Sequence, residues 1–176
     1  MIQIPTLTSA RLTLRPPTQA DFPALADFYA SDRSKFVGGP MTAEQTWRAL
    51  ACEIGHWPLR GYGRWSIDIS DTSEFIGIIG LWNPHGWPEP ELGWDLMQNA
   101  TGKGYATEAA LAARDYAYTT LGWTTLTSLV KPENTKSAAV ATRMGACHDG
   151  DFDHERHGLL NIYRHPAPVS VPENLQ

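Results

Sequence analysis

The chain has 176 residues, of which 42% are hydrophobic and 19% charged, and its formal net charge is −5. These proportions are typical of one folded domain with a sizeable core, and they exclude a disordered chain. The acidic balance argues weakly against a nucleic-acid-binding surface, because such domains are usually basic. It is compatible with a cationic amine as a substrate.

Neither export nor a membrane anchor is indicated. The first residues, MIQIPTLTSARLTL, lack the basic and apolar regions of a signal peptide, and no run approaches the ~18 apolar residues of a membrane span. Cys52 and Cys147 lie far apart and form neither a disulfide framework nor a metal-spaced pair. We interpret them as small buried hydrophobic residues. We therefore expect a reduced, cytoplasmic protein with no metal site and no nucleic-acid or membrane partner.

The first half of the chain predicts a strand, two helices and three further strands. ARLTLRPPT alternates apolar and polar residues, as a strand does. Thr18 with Asp21 begins a helix through ADFPALADFYA, and Thr42 with Gln45 forms a capping box for a second helix, AEQTWRALACEIGHW. The β-rich runs YGRWSIDIS, FIGIIGLW and ELGWDLM follow, separated by turn signals.

The second half predicts helix, strand, helix and two strands. TGKGYATEAA leads into a helix from Tyr105 to about Thr120, TTLTSLV is a strand, and Asn134 caps a short helix, TKSAAVATRM. ACHDGDF and HGLLNIYRH read as two strands joined by a polar turn. The turn-bearing segment CHDGDFDHERH holds metal-ligand residue types, but without a recognised spacing, so we predict a solvated hairpin turn.

This order of elements predicts one mixed α/β (α+β) domain over residues 1–166. We expect a central, mostly antiparallel twisted sheet of about six to seven strands flanked by about four helices. The proline-rich residues 167–176 are expected to form a loosely ordered tail.

The stretch TGKGYATEAA is the strongest chemical signal. A glycine-rich loop that enters a helix exposes backbone N–H groups at the positive end of the helix dipole, which suits a phosphate. A Walker A loop needs lysine and a hydroxyl directly after the second glycine, where Tyr105 and Ala106 stand. A dinucleotide fingerprint needs a third small residue where Thr107 stands, and an earlier place in the chain. The pyrophosphate of coenzyme A fits better, with Lys103 adding positive charge. The alternative is an ordinary loop that leads into a capped helix.

Two longer stretches, ELGWDLMQNATGKGYATEAA and LVKPENTKSAAVATRMGA, resemble the GNAT superfamily of N-acetyltransferases. They look most like the branch that includes the ribosomal-protein N-terminal alanine acetyltransferases. The resemblance begins at RLTLRPPTQADFPAL, covers most of the chain and is strongest from Glu91 to Ala146. It implies the GNAT fold, in which a splayed pair of strands holds acetyl-CoA.

The same resemblance implies transfer of an acetyl group from acetyl-CoA to a primary amine, in a monomer or a homodimer. The acceptor would be a small-molecule amine or a peptide amine, such as a protein N-terminus. The alternative is a non-catalytic domain of the same fold that binds acyl-CoA as a sensor or interaction module.

Carried over residue by residue, the resemblance implies acetyl-CoA contacts from three segments. They are the strand ELGWDLM, the glycine-rich loop of TGKGYATEAA, which we call the phosphate loop, and the helix that Asn134 caps, which we call the Asn-x-x-Ser helix. The expected contacts are the backbone of Asp95, Leu96 and Met97 along the pantetheine, Gly102, Lys103, Gly104, Tyr105 and Ala106 at the pyrophosphate, Thr107 with an added hydroxyl, and Asn134 and Ser137 on the helix.

Two positions depart from the family pattern. Asn99 stands where the loop often carries Arg or Gln, which removes one charged contact. Ala141 stands where many members carry a tyrosine that protonates the thiolate. Either Ser137 or water would then serve as the acid, or protonation does not limit the rate.

Acetyl transfer needs a neutral amine and donors for the developing oxyanion, for which a backbone N–H near Leu96 is suitable. No nucleophilic side chain is required when both substrates react in a ternary complex. Glu91 is the first candidate for a base acting through a water; the alternative is a structural carboxylate paired across the sheet. His85 is a second candidate, and Trp87 is a candidate wall of the acceptor pocket.

Overall fold

Alternating apolar side chains build a single eight-stranded sheet in the computed structural model, which describes residues 3–168. The strands of this part of the chain are β1 (Leu7–Thr8), β2 (Leu12–Arg15), β3 (Arg64–Ile69), β4 (Glu74–Trp82), β5 (Glu91–Leu96), β6 (Thr127–Val130), β7 (Cys147–His154) and β8 (Gly158–Arg164). Their order is β1-β2-β3-β4-β5-β6-β8-β7, and every described pair is antiparallel except β5–β6. The strand beyond the predicted six to seven is β1, which is too short to leave a pattern in the sequence.

Four α-helices flank the sheet within the described residues, as predicted: α1 (Phe22–Ala30), α2 (Ala43–Arg60), α3 (Tyr105–Thr119) and α4 (Thr135–Arg143). The capping box of α2 is confirmed, because Gln45 N donates to Thr42 Oγ1 at 3.2 Å and Thr42 N donates to Gln45 Oε1 at 2.8 Å. A 3₁₀ turn separates Thr18 from α1, so that helix begins at Phe22. No helix within residues 3–168 is long and apolar enough to cross a membrane.

The helices pack on opposite faces of the sheet and divide the side chains of β5 between them. Ala109, Ala110, Ala113 and Ala117 of α3 are all fully buried, which gives the thin helix face that close packing on a sheet requires. On the other face, α1 and α2 pack over a smaller apolar cluster. The even-numbered residues of β5 join the α3 side, and the odd-numbered residues face α1 and α2.

The end of β8 at Arg164 lies close to the predicted domain limit at residue 166. That limit stays a prediction, and residues 169–176 of the predicted tail lie outside the described residues.

A glycine sets the close approach of β4 to β5. At Gly77 φ is +152°, and a Cβ there would lie 2.2 Å from the carbonyl oxygen of Asp95. The pairing of β4 with β3 shifts by one residue at Ile67/Asp68, so one residue bulges from the ladder beside Gly77. Strand β5 can therefore lie this close to β4 only because residue 77 is a glycine, which has no Cβ.

We expect Gly77→Ala to lower the free energy of unfolding by at least about 3 kcal/mol, because the methyl group meets a backbone oxygen at a positive φ. Gly55→Ala is the matched control, since a Cβ added to this helical glycine would meet nothing within 4 Å. Alanine there should raise stability by about 0.5–1 kcal/mol. Urea unfolding of both variants measures the difference, and equal stabilities would contradict the close approach at Gly77.

Candidate active site

The parallel pair β5–β6 separates after one bridge, Glu91 opposite Thr127. At the bridge, Thr127 N donates to Pro90 O at 3.3 Å. A parallel ladder would continue with Leu129 N donating to the carbonyl of Leu92. Instead, the hydroxyl of Ser128 donates to that carbonyl at 2.6 Å. The ladder therefore ends inside the sheet, and a gap opens between the two strands.

The backbone groups of β5 that face this gap follow from its pairing with β4. Met97 N donates to Ile76 O at 2.9 Å, so the backbone groups of Asp95 and Met97 point toward β4. Those of Trp94 and Leu96 point toward the gap. The predicted donor near Leu96 is thus on the correct side of the strand. Trp94 is not among the site residues predicted from the sequence. Its backbone also faces the gap, because alternate residues of a strand direct their backbone groups to the same side.

A buried histidine holds the end of the ladder in place. The hydroxyl proton of Ser128 is used for Leu92, so His165 Nε2, 3.0 Å from Ser128 Oγ, must donate to that oxygen. Its Nδ1 is buried with no partner among residues 3–168, which fits a neutral ring. Burial, followed by the charge of Arg114, lowers the pKa of His165 to about 4.

A cavity of about 710 Å³ opens on the α1 and α2 side of the gap. Glu91, Asp95, Asn134 and Ser137 line it, so the structure brings four of the predicted site residues together. Leu96, Met97 and the phosphate loop are not on the cavity wall. His85 and Trp87 also contribute to the wall, from the loop between β4 and β5.

Glu91 is half-buried in this wall, and its main partner is an indole. Trp87 Nε1 donates to Glu91 Oε2 at 2.6 Å. Burial raises the pKa of Glu91 to about 7, although this hydrogen bond, the charge of Arg64 and the backbone of Leu129 favour the ionised form. Glu91 takes part in no ion pair within the described chain, in contrast to the structural carboxylate that was the alternative. A carboxyl group that titrates near neutral pH is suited to accept a proton.

The side chain of Asp95 belongs to a buried charge network. Arg64 lies between two carboxylates, 2.9 Å from Asp95 Oδ2 and 3.0 Å from Glu53 Oε1, and the hydroxyl of Tyr29 donates to Asp95 Oδ2 at 3.0 Å. The network has one cation for two acids, and burial raises the pKa of Glu53. Nothing in the sequence indicated it, because its members come from four different elements.

The phosphate loop is braced by the turn between β1 and β2. Gly102 and Gly104 have φ values of +79° and +82°, and Gly104 is the N-cap of α3. Arg11 donates to Lys103 O at 3.1 Å and forms an ion pair of 2.6 Å with Glu108 of α3. The Arg11 guanidinium therefore lies beside the exposed N–H groups of the helix. Sequence reasoning missed Arg11, since it lies more than 90 residues away along the chain.

The comparisons with known proteins decide the family. A model described as "Acetyltransferase (GNAT) domain" matches residues 11–146. The chain belongs to the GNAT family of acetyltransferases. It is therefore an enzyme of acyl-CoA-dependent acetyl transfer.

Relatives agree over nearly the whole chain. The uncharacterized N-acetyltransferase p20 of Bacillus licheniformis is 30% identical over 167 residues, which are 90% of this chain and 93% of p20. A crystal structure of an acetyltransferase from Agrobacterium tumefaciens is 46% identical, with a TM-score of 0.86 over 94% of this chain and 96% of that one. RimL, a ribosomal L7/L12 alpha-N-protein acetyltransferase solved with coenzyme A, shares the fold at 18% identity, with a TM-score of 0.75 over 92% and 98% of the two chains.

The Asn-x-x-Ser helix of this GNAT enzyme is capped as predicted. Asn134 Oδ1 accepts from Ser137 N at 3.3 Å, and Asn134 Nδ2 donates to Ser137 Oγ at 3.1 Å. Ala141, at the position of the family tyrosine, is fully buried. A tyrosine would not fit there without displacing its neighbours.

The prediction that both cysteines are buried is wrong. Cys52 and Cys147 are exposed, the first because its face of α2 borders the cavity, the second because it begins the edge strand β7. Burial and the nearby Glu53 raise the pKa of the Cys52 thiol. The thiol is therefore a poor nucleophile, which agrees with direct transfer.

We expect the enzyme to lose stability in acid partly through His165. Its pKa is about 6.5 in the unfolded chain and about 4 when folded. The unfolded state binds more protons between these values, so the contribution is complete above pH 6.5 and is lost progressively toward pH 4. At pH 5 the loss is about 2 kcal/mol.

Urea unfolding at pH 7 and pH 5 measures this contribution. His165→Gln should shrink the difference between the two pH values by about 2 kcal/mol. The wild-type protein is the reference for this comparison. An equal difference in His165→Gln and in the wild-type protein would contradict a neutral buried His165.

Proposed function

We propose that the enzyme transfers an acetyl group from acetyl-CoA directly to a primary amine in a ternary complex. The observation that carries the proposal is the place of Glu91. Its half-buried carboxyl lies in the cavity wall at the mouth of the β5–β6 gap, while the chain beyond β5 leads into the glycine loop of α3. One strand thus connects a proton acceptor with a phosphate-binding loop.

Coenzyme A fits along this path. A Cβ at Gly102 would meet nothing within 4 Å, and one at Gly104 would meet only Arg11, so a pyrophosphate can approach the loop backbone closely. The pantetheine would then lie in the gap, beside the backbone of Leu96 and Trp94 and opposite the Asn-x-x-Ser helix. The backbone groups of Asp95 and Met97 pair with β4, so the pantetheine contacts expected of these two residues pass to Leu96 and Trp94. Further contacts are proposed for Lys103, Tyr105, Ala106 and Thr107 at the phosphates, and for Asn134 and Ser137.

The reaction follows from these positions. Glu91 accepts a proton from the ammonium through a water, and the amine lone pair attacks the thioester carbon. A gap-facing N–H of Trp94 or Leu96 donates to the oxyanion. The carbon–sulfur bond then breaks while the surplus proton on the amine nitrogen leaves to solvent. The thiolate takes its proton from water, directly or relayed through the hydroxyl of Ser137, because Ala141 has none to give.

The acceptor is a primary amine, on a small molecule or at a protein N-terminus. The buried part of the cavity wall supports a cationic acceptor, because its acids Glu53 and Asp95 outnumber its one cation, Arg64. The other cations of the wall, Arg48, Lys131 and Arg156, have more exposed side chains. RimL, which acts on a protein N-terminus, shares only the fold at its level of identity.

We expect Glu91→Gln to lower kcat/KM by about 100-fold or more while acetyl-CoA affinity stays unchanged. Release of free CoA thiol in the presence of a panel of primary amines measures the rate. Asp115→Asn is the control, since Asp115 is an exposed acid of α3 outside the cavity wall. Wild-type protein that binds acetyl-CoA but releases no CoA would favour the non-catalytic alternative.

Gly104→Val should abolish most of the thermal stabilisation given by acetyl-CoA and CoA, because a side chain would occupy the pyrophosphate position. In the wild-type protein, ligand at ~100 times its Kd adds about 2.7 kcal/mol, whereas ATP and NADH should add nothing comparable.

Gly122→Val is the control, because its φ of +69° imposes similar backbone strain beyond the opposite end of α3. Both variants should melt lower without ligand, and only Gly104→Val should lose the CoA shift. An unchanged shift in Gly104→Val would refute the proposed pyrophosphate position.

A further inference from the structure

The loop between β4 and β5, Asn83 to Pro90, is fixed near both ends. Asn83 N donates to His56 Nε2 at 3.1 Å, while His56 Nδ1 lies 2.8 Å from Tyr62 O, which requires a neutral His56 with its proton on Nδ1. Near the other end, Glu89 pairs with Arg164 of β8 at 2.8 Å. The segment that carries Trp87 is therefore held between α2 and β8.

Trp87 also contacts the turn between β7 and β8. Its ring lies 5.0 Å from the ring of His154 and 5.5 Å from that of His157. His154 Nδ1 accepts the backbone N–H groups of Arg156 and His157, at 3.0 and 3.2 Å, which folds the turn against the indole. One side chain thus contacts the turn with its ring and the carboxyl of Glu91 with its N–H.

We infer that Trp87 is a positioning residue for the reaction. Its indole N–H holds the Glu91 carboxylate in the cavity wall, and the packing of its ring against the β7–β8 turn fixes the position of that N–H. The inference rests on the proposed role of Glu91 as the base. A hydrogen bond donated to the ionised carboxyl favours the anion, so the bond offsets part of the effect of burial. Without it, Glu91 would be less ionised and less firmly held, since only the backbone of Leu129 would still bond to its carboxyl.

Other groups act on the same carboxyl and stay in place when Trp87 is changed. Arg64 and the backbone of Leu129 favour its ionised form, and Asp95 opposes it. The remaining titratable or charged side chains of the cavity wall are Tyr29, Arg48, Cys52, Glu53, His85, Lys131, His154, Arg156 and His157. Trp87→Phe removes the N–H donor and retains an aromatic ring against the turn, so it isolates the hydrogen bond.

The hydrogen bond can be tested without any acceptor. The indole N–H resonances are recorded by ¹⁵N–¹H NMR on the full chain from pH 5 to 9, and the Trp87 signal is assigned as the one lost in Trp87→Phe. We expect this signal to titrate with a midpoint near pH 7, and the titration to disappear in Glu91→Gln. The signal of Trp47, which is 51% exposed on α2, should not follow it. A pH-independent Trp87 signal, or a titration that persists in Glu91→Gln, would overturn the inference.

A second measurement separates positioning from simple packing. In Trp87→Phe, the acidic limb of the kcat/KM profile should move up by about one to two pH units, because a hydrogen bond to a charged group is lost. The kcat/KM of Trp87→Phe would be about tenfold or more below that of the wild-type enzyme at pH values under this limb, and would approach the wild-type value at higher pH. Trp47→Phe should leave the profile unchanged. A uniform loss at every pH would assign Trp87 a structural role only and would overturn the inference. Absence of acetyl transfer in the wild-type enzyme would refute the proposed function, while the NMR measurement would still test the bond.

Discussion

The hydrogen bond from Ser128 to the carbonyl of Leu92 is the constraint on which the site depends. A buried backbone carbonyl must have a partner, so two parallel strands can separate inside a sheet only where a side chain or a water replaces the missing ladder bond. Ser128 makes that replacement at 2.6 Å, and His165 orients its hydroxyl from behind. The gap, the cavity beside it and the free N–H groups of β5 all follow from this one substitution of a side chain for the backbone.

The strand β5 serves the core and the site with alternate residues. Leu92 and Leu96 pack toward α3, which fixes the strand. Glu91 and Asp95 project to the other side, but their partners differ. Asp95 is bound by the cation Arg64, whereas Glu91 is bound by the neutral indole of Trp87. Two acids four residues apart can therefore have different tasks, one holding the buried wall together and the other remaining available to accept a proton.

The phosphate loop gains rigidity from outside itself. Its glycines permit close approach of a ligand, but they also allow many conformations in an isolated chain. Arg11 restricts them, since it bonds to the loop backbone at Lys103, to Glu108 on α3 and to the face of Tyr105. A loop already fixed in this way loses less conformational entropy when a phosphate binds.

The sequence by itself determined the element order, the four helices, the capping residues Thr42 and Asn134 and the glycine loop, because each depends on neighbours within a few residues. Through its motifs it also indicated the family and singled out Glu91, while the general tendency of free cysteines to be buried gave the wrong prediction for Cys52 and Cys147. Only the tertiary structure placed Glu91 beside Trp87, Asp95 against Arg64, Arg11 against the loop and Ser128 at the end of the ladder. Except for the Trp87–Glu91 contact, which spans four residues, those contacts join distant segments, and they exist because the sheet order β1-β2-β3-β4-β5-β6-β8-β7 and the helices packed on it bring those segments together. A local pattern records what a residue prefers next to its chain neighbours, and it holds no record of which distant side chain will lie across from it.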